Sequence, residues 1–397
     1  MIAAPVTNGV PGDELKSLDD ELNVPVIEVT RWRASRRRRI ACQNDPVAKM
    51  LSFYGRLALI YTIGTSSGYA FSLLHFPLPW VIGPSVVIAT AVAFGWHAKV
   101  PSITRSWGQI IVAGSIGLSM TPAAAQTVGT HLPEMIGAAL FTILAGLAVA
   151  GLLMRSLKID AVTACLACVP LGPMEAARLA ERYGVSPPSV ALAQAVRTIS
   201  LVLLIPPLLF LLNGVTATTA GVVQGEHDYV GVVVLLLGSF LCGGLAASIG
   251  FPNGAFIGAL TFSAVSALLS LRVSTLPYGI LAGGQVLLGV SLGCMFDKAI
   301  LRKLKAFALA SVATNLALLV LCATGGISFA FISGLPWQTL VLATAPGSLT
   351  EMSLTAKLMH FDVPLVTAFH ILRIFIILMA TPAIFSIVRW MSSKFDR

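Results

Sequence analysis

The chain has 397 residues, of which 56% are hydrophobic and only 11% charged, and its mean hydropathy is +0.87. Soluble proteins carry about a quarter charged residues, so a pair of ordinary soluble domains is excluded. The length is consumed instead by membrane spans of about 20 residues each. A formal net charge of +9 would suggest nucleic acid if it were spread over a folded surface, but the densest group of basic residues is a short run of arginines at 31–39, just before the first apolar segment.

Residues 1–48 hold Arg31, Arg33 and the run Arg36 to Arg39, with no apolar periodicity. We expect a disordered cytoplasmic arm that meets anionic lipid. It lacks a helix-turn-helix, a zinc pattern and interleaved aromatic residues, so nucleic acid is not an expected partner. No apolar stretch of signal-peptide type follows the arginines.

Apolar segments then run over about 54–74, 79–97, 107–125, 133–154, 161–183 and 188–212, within a first membrane repeat spanning 49–215. A charge-poor external linker, 216–228, leads to a second repeat, 229–397, with segments near 229–249, 253–271, 279–296, 306–324, 337–360 and 364–388. In each repeat the fifth segment is interrupted, by Val169-Pro170-Leu171-Gly172-Pro173 and by Ala345-Pro346-Gly347-Ser348. Pro and Gly free backbone groups that lipid cannot satisfy, so this backbone must be buried in protein or line a cavity.

The six cysteines are scattered, and Cys165-x-x-Cys168, in an apolar stretch, reads as small-residue helix packing rather than a redox or metal pair. No histidine spacing suits a metal. We therefore expect no metal, no cofactor and no enzyme activity.

A spacing of 176 residues (285 − 109) recurs. Gln109, Pro170, Glu175, Pro188, Arg197 and Pro206 return as Gln285, Pro346, Glu351, Pro364, Arg373 and Pro382. This predicts an internal duplication, with Gln194 answered by His370. If the broken fifth segment of each copy fails to cross, each copy has five crossings and the repeats are inverted. Most basic residues then fall inside with both termini, leaving Arg272 and Lys357 outside. The expected fold is thus an all-α polytopic membrane protein of two tandem, inverted repeats.

Charged side chains at membrane depth cost about 2.5 to 3.5 kcal/mol on insertion scales, so they point to function or to a partner. Glu175 and Glu351 follow their Pro by five residues. Arg197 and Arg373 lie on the next helix, and Gln194 and His370 precede them by three residues on the same face. Two readings stand. Either each copy holds a Glu–Arg pair that locks the hairpin, or the carboxylates and opened backbone form an ion or proton site. The candidate substrate- and ion-binding set is Gln109, Pro170, Glu175, Gln194, Arg197, Gln285, Pro346, Gly347, Ser348, Glu351, His370 and Arg373.

The motifs LPWVIGP (78–84), GQ-x3-G/A-x3-G in both copies, PGSLTEM (346–352) and VPLVTAFHILRIFIILMATP (363–382) resemble the AbrB family of internally duplicated bacterial inner-membrane proteins over about residues 54–390. The family pattern is close to P-G-G-x-x-E-M; Ser348 replaces its second Gly, and the first copy reads Pro170-Leu171-Gly172-Pro173-Met174-Glu175-Ala176. The resemblance implies a multi-pass protein of the bacterial inner membrane, carrying the family's labels of gene-expression regulator and, in places, ammonia monooxygenase. The small soluble DNA-binding fold of the same name is not meant. The Pro-Gly break also looks, more distantly, like the crossing regions of cation/proton antiporters and bile-acid-type symporters. The leading expectation is a secondary transporter of a small ionic solute, coupled to H+ or another cation. The alternative is a membrane-bound regulator of gene expression without transport. A small molecule or ion and the lipid bilayer are the expected partners, and a homodimer is compatible with the sequence.

Overall fold

The computed structural model describes residues 46–96, 98–213, 228–295 and 305–395. The expected basic arm, most of the expected linker at 216–228 and the basic cluster beginning at Lys298 lie outside the described residues. Two compact units are distinguished, 1–59 and 60–397. The described part of the first is the leading stretch of one helix, and the breaks and the candidate site residues all lie in the second.

The described residues form helices without strands. In chain order they are α1 (Pro46–Leu73), α2 (Pro79–Phe94), α3 (Ser102–Gly117), α4 (Pro122–Thr130), α5 (Leu132–Leu157), α6 (Ala161–Cys168), α7 (Pro173–Arg182) and α8 (Pro187–Asn213). Then come α9 (Tyr229–Ser248), α10 (Gly254–Leu268), α11 (Tyr278–Gly293), α12 (Lys305–Ser333), α13 (Trp337–Thr344), α14 (Leu349–Leu358) and α15 (Val363–Phe395). Pro occupies the first turn of α2, α4, α5 and α7, where its missing N–H costs nothing. Side-chain caps start others: the Asp160 carboxylate accepts from Thr163 N at 2.7 Å before α6, and that of Asp362 from Leu365 N at 2.9 Å before α15. Asp228 likewise accepts from Val230 N before α9, and the hydrogen bond from Arg272 holds its carboxyl below the ordinary carboxylate range.

Among the described residues five helices, α5, α8, α9, α12 and α15, are long and apolar enough to cross a bilayer. Their outward faces carry Leu144, Leu211, Leu237, Leu241 and Met379 in the open, a surface stable only against lipid. The chain is a multi-pass, all-helical membrane protein. One expected span, 107–125, is instead two helices, α3 and α4, bent by 94°. The cause is local: Pro122 cannot continue a helix from α3, and Thr121 Oγ1 accepts from Ala124 N to start a new one.

The interrupted segments are broken as expected. α6 and α13 have 8 residues each, α7 and α14 have 10, so each is about 12 to 15 Å long and none alone spans about 30 Å of hydrocarbon. The ranges of α3 and α11, of α6 and α13, and of α7 and α14 are displaced from one another by the same 176 residues (278 − 102, 337 − 161, 349 − 173).

Helices from the two halves interleave. α3 packs on α10 and α11 packs on α2, while α5 packs on α12. α3 and α11 themselves cross at Gly108 and Gly284, where a Cβ on Gly108 would stand 2.8 Å from the Gly284 carbonyl oxygen. No larger side chain permits that approach, so the GQ motifs place two backbones in contact.

Candidate functional site

Each break leaves carbonyls at the end of its first half-helix without a partner in the helix. In the first half, Arg197 on α8 supplies the donors: Nη1 reaches Val169 O at 2.9 Å and Nη2 reaches Leu171 O at 2.8 Å. Arg373 on α15 does the same at the equivalent positions, donating to Ala345 O at 2.6 Å and Gly347 O at 2.7 Å. Gln194 Nε2 adds donors to Leu166 O and Val169 O. Both arginines are buried, and neither forms an ion pair among the described residues. The planar fork of a guanidinium suits two carbonyls diverging from one break.

Of the two readings, the Glu–Arg lock within each copy is therefore not formed among the described residues. Arginine is the cross-brace of the hairpin, and its partners are backbone. The second break also has a defined return path. Gly347 O meets Arg373, and six residues along each helix (353 − 347 and 373 − 367) Thr367 Oγ1 donates to Ser353 Oγ at 2.9 Å. α14 therefore runs antiparallel to α15 and folds back toward the start of that helix.

Glu351 looks elsewhere. It lies in the first turn of α14, 2% exposed, and neither carboxylate oxygen accepts a hydrogen bond from the described residues. Arg105 Nη2, on α3, stands 3.7 Å from Oε1. The helix N-terminus favours a carboxylate there, and Ser348 before it contributes no side-chain cap. Gln109, one turn along α3, donates from Nε2 to Asn253 Oδ1 at 3.1 Å and to Thr350 Oγ1 at 3.4 Å. At the far end of both helices Lys357 Nζ donates to the carbonyl and hydroxyl oxygens of Ser115. α3 and α14 are thus joined at three levels by polar contacts.

The remaining candidates separate. Gln285 is buried and borders a cavity of about 730 Å³ that also receives Lys357. His370 is fully buried, with neither ring nitrogen hydrogen-bonded to a described residue, although its counterpart Gln194 binds the first break. Glu175 is half-buried, with its carboxylate folded back over Gly172. Pro170, Pro346 and Gly347 are buried in their breaks, and Ser348 is half-buried. Gly347 has little room, since a Cβ there would stand 2.8 Å from the Met352 side chain. The two halves are chemically unequal: among the described residues Glu351 of the second faces an arginine on another helix, and Glu175 of the first does not.

Arg105, Asn253, Thr350 and Lys357 are the functional candidates that sequence reasoning passed over. A usable signal existed for Arg105, whose counterpart at the repeat spacing is Leu281. A charge present in one copy only, on a helix otherwise matched, marks a departure from symmetry. Among the described residues no three His, Cys, Asp or Glu side chains gather to hold a metal ion.

With this geometry the class is that of an internally braced, broken-helix membrane protein. The sequence profile described as "Transition state regulatory protein AbrB" matches residues 80–389, and the chain belongs to the AbrB family. It is similar to the protein named "Putative regulator AbrB" of Escherichia coli (strain K12), at 24% identity over 330 residues, covering 83% of this chain and 93% of that protein. It is also similar to "Uncharacterized protein YhjN" of Bacillus subtilis (strain 168), at 22% identity over 351 residues, covering 82% and 91% of the two chains.

Proposed function

We propose that the protein is a secondary transporter of a small ionic solute, coupled to H+ or another cation, and not an enzyme. The observation that carries this reading is Glu351: a buried carboxylate with no hydrogen bond from any other described residue, at the start of a returning half-helix, facing Arg105 on a helix of the other half. Such a group can exchange a proton or a cation, and doing so would alter a contact between elements that must move against each other. Broken helices with polar residues at their ends are the usual means by which transporters hold an ion away from lipid. The helix ranges displaced by a constant spacing, and the cavity that reaches Gln285 but not Gln109, support two repeats in unequal states.

Within this reading the repeats are inverted, the protein sits in the bacterial inner membrane with both termini cytoplasmic, and the N-terminal arm rests on anionic lipid rather than on nucleic acid. The test is a metabolite-uptake comparison between cells that carry and lack the gene. A solute whose uptake follows the gene is expected, and unchanged profiles across charged metabolites would contradict the reading. The second reading, a regulator of gene expression, is carried by the family description and by the printed name of the Escherichia coli relative.

A further inference from the structure

The cavity beside Gln285 has features that the coupling site does not use. Its volume of about 730 Å³ lies within the range of about 300–1,000 Å³ typical of small-molecule sites. Phe76, Trp80, Phe210, Tyr278 and Phe361 contribute aromatic side chains to its wall. Lys357, at the end of α14, lines it together with His75 and His360.

Lys357 is the informative member. The crossing count left two basic residues on the outer side, Arg272 and Lys357. Arg272 is explained by Asp228, 2.8 Å away. Lys357 has no such partner: its hydrogen bonds go to the two neutral oxygens of Ser115, and no ion pair among the described residues includes it. An ammonium has three donors, so one is left for a further acceptor. The carboxylate that borders the same cavity, Asp362, is engaged as the cap of α15.

We propose that this cavity binds a small organic carboxylate with an apolar body, its charge held by Lys357 and its body against the aromatic wall. This names the substrate class for the proposed transport, and rests on that reading for its physiological meaning. Binding itself can be measured without transport.

The experiment uses the full chain, purified in nanodiscs, with benzoate, phenylacetate and hexanoate as probes and benzamide as the neutral isostere of benzoate. Trp80 fluorescence is the readout, and a Trp80→Phe variant identifies its signal. At least one carboxylate is expected to bind saturably, with benzamide at least tenfold weaker than benzoate if benzoate binds. Lys357→Gln should weaken carboxylate binding at least tenfold, and Lys357→Arg should keep it within a few-fold. The proposal is overturned if none of the three carboxylates binds, if benzamide equals benzoate, or if folded Lys357→Gln binds as the wild type does. Should Lys357→Gln fail to fold, the benzoate–benzamide ratio on the wild type and the Lys357→Arg variant decide the matter. Carboxylate binding that depends on Lys357 without any uptake in proteoliposomes would uphold this site and defeat the transporter reading. Uptake of a cation, indifferent to Lys357, would do the reverse.

Discussion

Arg373 and Glu351 carry opposite charges 22 residues apart (373 − 351), yet the structure gives them separate employments. Arg373 spends both of its terminal nitrogens on the carbonyls of one break. Its replacement by Met would strand two buried acceptors, at about 1–3 kcal/mol each. We predict that Arg373→Met lowers stability in detergent by about 2–6 kcal/mol, the sum for two acceptors, and that Arg197→Met does likewise through Val169 and Leu171. A melting transition unmoved by either change would remove the bracing role. Glu351→Gln should behave differently, keeping most folded protein, because no hydrogen bond is lost and Arg105, 23% exposed, can be hydrated. If Glu351→Gln unfolds the protein and adding Arg105→Gln restores it, the pair is structural, since removing both partners relieves an unpaired buried charge. The recurrence of Glu and Arg at the breaks was legible in sequence because it returns at the 176-residue spacing. The carbonyl partners were not, because a backbone carbonyl has no sequence signature, whereas Arg105 could have been found as a charge that the spacing matches with Leu281.

At the scale of elements, the two GQ helices decide how closely the halves approach. Gly108 faces the Gly284 carbonyl at a distance that a Cβ cannot share. Gly108→Val is therefore expected to cost about 1–3 kcal/mol through overpacking. Gly129 on α4 has nothing near its missing Cβ, and Gly129→Ala should be neutral or stabilising by up to about 1 kcal/mol. Equal melting shifts for the two variants would show that the crossing is loose. Sequence reading located the broken fifth segments because Pro and Gly interrupt long apolar runs there. It missed the 94° turn between α3 and α4, since Thr121-Pro122 sits in a run apolar enough to pass for one span. Hydropathy reports how oily a stretch is and says nothing about its direction.

For the whole molecule, the composition alone placed the chain in a bilayer, and the family motifs cover the same helices that carry the breaks. The interleaving of α3 with α10 and of α11 with α2 could not be read from sequence, because helix pairing across a duplication depends on surfaces that both copies share. If the repeats are inverted, as proposed, cysteines introduced at positions 220 and 303 label from opposite faces of the membrane in intact cells; labelling from one face would contradict the proposal. The central claim is coupled transport through Glu351. Its most direct measurement is accumulation of solutes by proteoliposomes from a mixture of charged metabolites under an imposed proton or cation gradient, read by mass spectrometry. The account predicts that a small ionic solute accumulates in a gradient-dependent manner with the wild type, loses that dependence with Glu351→Gln, and keeps most of it with Glu175→Gln. No accumulation under either gradient, or accumulation indifferent to Glu351, would contradict it.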